Sequence, residues 1–137
     1  MASEKLHPGA KGHALDPKRI TLRIFPNGGG VPTWDAEGGV ASVVRADVGK
    51  FLVTFAEGYY KPVAAYAQYQ EPNDAVDTYA QLGDFNNVGQ HHGAARGTPG
   101  QPTTLIVKLK VGSANSDAAA TPQRCIFVDV TFEDVAK

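Results

Sequence analysis

The chain has a single cysteine, four histidines, one tryptophan, and a formal net charge of only −1. It also has no long apolar run and no sustained helical periodicity. With Cys125 alone no intrachain disulfide can form, which argues against a disulfide-stapled secreted module and fits a reducing compartment. No stretch approaches the roughly 18 apolar residues of a membrane helix. The opening Met1-Ala-Ser-Glu-Lys-Leu-His-Pro-Gly9 lacks the apolar centre of a signal peptide, so the expectation is a soluble product made in the cytoplasm. Thirteen bases against fourteen acids leave no global field to draw the chain to nucleic acid or anionic lipid. Near-neutrality does little to keep copies apart, which suits a protein that ends up assembled.

What is present is a ladder of short β-runs. Apolar and polar residues alternate in Arg19–Phe25, Ala41–Asp47, Lys50–Ala56, Val63–Tyr69, Val76–Gly83, Thr103–Val111 and Cys125–Glu133. A period of two turns one face of each strand to a core and the other to water or a partner. Asp47-Val48-Gly49 makes a hairpin of the second and third runs. Glu57-Gly58 and Glu71-Pro72-Asn73-Asp74 turn the chain again. A long Gly-, Asn- and His-rich loop follows from Asp84 to Pro102, and long loops in compact domains are usually functional or mobile. Ser113–Ala120 has the composition for a helical turn or two. Lys108 and Lys110 share one strand face, which places that face in water or at an edge. The expected fold is all-β, a jelly roll or β-sandwich of about seven to eight antiparallel strands, in one domain over residues 19–137.

Residues 1–18 show no periodicity and read as an extended N-terminal arm. Over residues 1–25 the bases Lys5, Lys11, Lys18, Arg19 and Arg23 outnumber the acids Glu4 and Asp16. Such an arm is ordered only by lying on something else.

No constellation points to catalysis. His91 and His92 are adjacent, and on a strand they face opposite ways, so the pair reads as an interface or solvated loop before a metal site. Glu71, Asp74, Asp77 and Asp84 match no calcium loop and read as an acidic patch able to dock a basic surface. Gly28-Gly29-Gly30 lacks the Lys-Ser/Thr and the helix of a phosphate cradle. Asp35 and Glu37 beside Trp34 sketch a sugar site, although acids near an aromatic are common in surface loops. Tyr59, Tyr60, Tyr66, Tyr69 and Tyr79 serve equally as interface residues or as caps on the core. Cys125 opens the last strand and reads as a small buried hydrophobe.

Three stretches together carry a resemblance. They are Gly39-Val-Ala-Ser-Val-Val-Arg-Ala-Asp-Val-Gly-Lys-Phe-Leu-Val-Thr-Phe-Ala-Glu-Gly-Tyr-Tyr60, Val76-Asp-Thr-Tyr-Ala-Gln-Leu-Gly83 and Arg124-Cys-Ile-Phe-Val-Asp-Val-Thr-Phe132. In their small-residue strand, turn, Gly-Lys-Phe-x-Val-x-Phe run and closing strand they resemble the head decoration (cement) proteins of tailed bacteriophages. The resemblance implies a non-enzymatic virion protein on the capsid exterior, synthesised in the host cytoplasm, that bridges capsomers and stabilises the shell. Its partners would be the major capsid protein and itself, as a homodimer or homotrimer, with no nucleic acid, membrane or cofactor. Contact residues do not come with the resemblance. From charge and flexibility the candidates are Lys5, Lys11, Lys18, Trp34, Tyr59, Tyr60, His91, His92 and Arg96. The alternative is a carbohydrate- or receptor-binding jelly-roll module of a tail or fibre, using Trp34, Asp35, Glu37 and the Tyr59-Tyr60 pair.

Overall fold

A computed structural model describes residues 18–57, 62–71, 78–86, 102–118 and 124–132. They form β1 (Lys18–Phe25), β2 (Thr33–Ala36), β3 (Val40–Asp47), β4 (Lys50–Phe55), β5 (Pro62–Gln70), β6 (Thr78–Asn86), β7 (Thr104–Val111), β8 (Ala114–Asn115) and β9 (Cys125–Phe132). Every strand pairing is antiparallel, and no helix occurs among the described residues. The first sheet runs β2-β1-β9-β5; the second runs β3-β4-β7-β6, with the short β8 added to β7. The protein is thus an all-β sandwich.

The period of two explains the core. Ile20, Leu22 and Ile24 of β1 and Ile126, Val128, Val130 and Phe132 of β9 project inward from the first sheet. Phe51, Val53 and Phe55 of β4 meet them from the second, together with Leu105, Val107 and Leu109 of β7. Register lines these residues into cross-sheet rows. Val43, Val53, Leu105 and Phe85 form one, and Ala36, Leu22, Val128 and Ala67 another. Phe132 is fully buried, with the rings of Phe55 and Phe85 edge-on at 5.2 and 6.0 Å.

Four segments differ from the sequence reading. Thr33–Ala36, expected as loop, is an edge strand that turns Trp34 and Ala36 inward against the core. β6 continues past Gly83 to Asn86, because a bulge between Leu82 and Phe85 resets the alternation and returns Phe85 to the interior. Ser113–Ala120 holds no helix in its described part. Instead Gly112, at φ +60°, reverses the chain so that Ala114–Asn115 folds back on β7. Lys18 is the first residue of β1 rather than the last of the arm. Lys108 and Lys110 lie on an outward face, but β7 is flanked by β4 and β6 and is no edge.

Phe132→Ala removes a ring shared by both sheets and leaves a cavity. It should cost about 3–5 kcal/mol in urea-induced unfolding, whereas the same change at Tyr66, half exposed at 50%, should cost far less.

Candidate binding faces

The outer face of the first sheet bears a depression of about 410 Å³. Alternation along β1, β2, β5 and β9 brings Arg23, Asp35, Gln68 and Phe127 into adjacent register positions, with Glu37 and Gln70 at the rim. Arg23 donates to Asp35 at 3.4 Å, and both side chains are more than half exposed, so the pair is loose. Cys125 lies at the floor's edge. Burial pushes its thiol pKa upward, which disfavours the thiolate a nucleophile needs.

The outer face of the second sheet is chemically different. Val44, Leu52 and Ile106 stand opposite one another as an apolar row across β3, β4 and β7. The row ends at Gly83, where a Cβ would come within 3.0 Å of Ile106. Alongside runs a polar row of Asp47, Lys50, Lys108 and Gln81, in which Lys50 is directly opposite Lys108 on one side and Asp47 on the other. Like charges facing each other across a ladder destabilise it by roughly 0.2–1 kcal/mol. Among the described residues no acid lies within ion-pair distance of Lys50, Lys108 or Lys110. Lys50, Lys108, Ile106 and Gly83 enclose a depression of about 260 Å³ between the two rows.

The closely paired ions serve the fold. Arg124 donates to Glu71 Oε1 through Nε at 2.9 Å and Nη2 at 2.6 Å, and the Tyr69 hydroxyl donates to Oε2, fastening the end of β5 to the start of β9. Arg45 grips Asp117 with two bonds of 3.0 and 2.8 Å, while the Gly49 amide donates to the same carboxylate at 2.9 Å. Gly49 sits at φ +62°, and an added Cβ would lie 2.5 Å from Ser116 N, so only glycine closes this turn. On the first sheet's outer face, Arg19 caps the buried Asp129 at 2.8 Å.

Of the residues selected from sequence, Lys5, Lys11, Tyr59, Tyr60, His91, His92 and Arg96 lie outside the described residues, as do Asp74 and Asp77. Lys18 heads β1. Trp34 packs against the core and Asp35 faces outward, so strand alternation separates the two halves of the suggested sugar site. Glu71 belongs to an ion pair instead of a free acidic patch. Gly28 is no cradle, since its amide donates to Ala118 O at 2.7 Å. The described residues contain no group of three or more His, Cys, Asp or Glu arranged to hold a metal. Sequence reading missed the Lys50–Lys108 juxtaposition, which needs the β4–β7 register, a pairing of strands distant in the chain. No protein-family model, curated protein or solved structure matches this chain.

The carboxylates set a pH dependence. The Tyr69 hydroxyl and Arg124 hold the Glu71 carboxyl below its ordinary 4.5, and Arg45 with the Gly49 amide holds Asp117 below 3.8. Lowered folded-state values contribute stability that is present above the unfolded values and lost as pH falls through the folded ones. The melting temperature should therefore be level at neutral pH and drop below about pH 4.5. Glu71→Gln with Asp117→Asn should lower it at pH 7 and flatten that drop; an unchanged acid limb would place the titration elsewhere.

Proposed function

We propose that this chain is a non-enzymatic structural protein that binds the outside of a phage capsid and stabilises it by bridging capsomers. The observation that carries this reading is the outward face of the second sheet. There an apolar row lies beside lysines that oppose one another, with no acid among the described residues in ion-pair distance. A partner bearing acidic groups around an apolar patch relieves the Lys50–Lys108 repulsion and buries Val44, Leu52 and Ile106 at one stroke. The stretch that resembles the decoration proteins most continuously, residues 39–60, includes β3 and β4, two of the strands that build this face. Meanwhile the tightly held carboxylates Glu71, Asp117 and Asp129 are each engaged by an arginine in holding strands and turns. Binding energy repeated over many copies would stabilise the assembled shell by mass action.

Purified protein should co-sediment saturably with phage heads prepared without their decoration protein. Lys50→Glu with Lys108→Glu should weaken that binding by about tenfold or more, and added salt should weaken the native protein's binding. Protein left in the supernatant at tens of micromolar would remove the capsid reading; a double variant that folds and binds as before would remove this face.

A second reading, a carbohydrate-binding module, is favoured by the depression on the first sheet. Phe127 offers a ring, and Arg23, Asp35, Glu37, Gln68 and Gln70 offer hydrogen-bonding groups around it. In that case a glycan array gives a hit that Phe127→Ala abolishes. No glycan bound at millimolar ligand excludes it.

A further inference from the structure

The first sheet ends on β5, whose nine residues Pro62–Gln70 include no charged side chain. β9 pairs with one side of it, and no described strand pairs with the other. The other three sheet edges are each interrupted or guarded. β2 is four residues long and carries Asp35. β3 has register shifts at Val40/Ser42 and Arg45/Asp47 and carries both of those charges. β6 is broken by its bulge between Leu82 and Phe85. On β5 the single shift falls at Pro62/Ala64, which leaves Ala64–Gln70 as a regular, neutral run. An edge of that kind is a template for another strand.

We propose that β5 is a homodimer seam, in which two copies pair this strand antiparallel about a two-fold axis. Four strands from each copy then make one continuous eight-stranded sheet. The occupant follows from the strand's chemistry. A two-fold sets a strand against itself, so any charge near the axis meets its own like, and β5 presents none. Centred on Ala67, the midpoint of the regular run, the pairing sets the small Ala65 opposite the partner's Tyr69 on the inner face. On the outer face Tyr66, 50% exposed, meets the partner's Gln68. Large residues thus meet small ones, and an aromatic hydroxyl meets an amide. The inference rests on an edge that no described strand pairs with, beside β6 of the second sheet, and stands or falls separately from the capsid reading.

Sedimentation equilibrium of the full chain, without heads, is the test. The expected result is a reversible monomer–dimer equilibrium. Ala64→Lys with Gln68→Lys, both exposed positions, should shift it at least about tenfold toward monomer while circular dichroism stays unchanged. Hydrogen exchange of the native chain gives a readout that needs no variant. Protection should rise with concentration in β5 and not in β2, β3 or β6. A monomer at hundreds of micromolar, a closed trimer, or concentration-dependent protection confined to segments outside β5 would overturn the proposal.

Discussion

The contact between the inner faces of β9 and the β4–β7 pair is the constraint on which the remaining structure depends. Among the described strands, β9 is paired on both sides along Ile126–Phe132, by β1 and β5, and all its inward residues are fully buried. It is the last of the described strands, so the first sheet is incomplete until this segment arrives between β1 and β5. Most of that pairing is non-local, the kind that costs loop-closure entropy before it returns contact energy. The aromatic cluster of Phe55, Phe85 and Phe132 offsets that cost by uniting three strands from two sheets at one point.

With the interior so committed, the ions are placed where the strands leave it. Arg124 to Glu71 and Arg45 to Asp117 lie at strand ends and turns, where backbone pairing stops and side-chain bonds replace it. Gly49 shows how tightly one end is drawn: its amide donates to Asp117, its carbonyl accepts from the Leu109 amide, and its missing side chain leaves room for Ser116. Among the described residues the closest ion pairs are instruments of closure. The lysines of β4 and β7 belong to none of them, and that gives their face its functional interest.

The alternation in β1, β4, β7 and β9 was legible because each strand is long, regular and half buried, so period two survives in the sequence. β2 was not legible, since four residues beginning next to Pro32 carry too little pattern to separate from loop. The end of β6 was hidden for a different reason. Gly83 and Asp84 look like a turn, yet they are the two residues that a bulge sets against one on β7, which brings Phe85 back to the core. Trp34 illustrates the limit for sites. An aromatic between acids suggests a stacking surface, but its strand alternation sends the ring inward and the acids out. Faces made by register, such as Lys50 against Lys108, lie beyond any single-segment reading because the partners are far apart in the chain.

Three surfaces of the described sandwich differ in chemistry. The first sheet's outer face is mixed and hydrogen-bonding, the second's is basic with an apolar row, and the β5 edge is neutral. A neutral edge is the one of the three that tolerates its own copy across a two-fold, whereas the lysine face would repel its own copy. Pairing at β5, as proposed, would leave the outer faces of both second sheets, one from each copy, outside the seam. Two weak faces so linked bind a repetitive surface far more tightly than either alone, because the second contact forms at an effective concentration set by the seam. Under the proposed function, such a linked pair would act as a bridge.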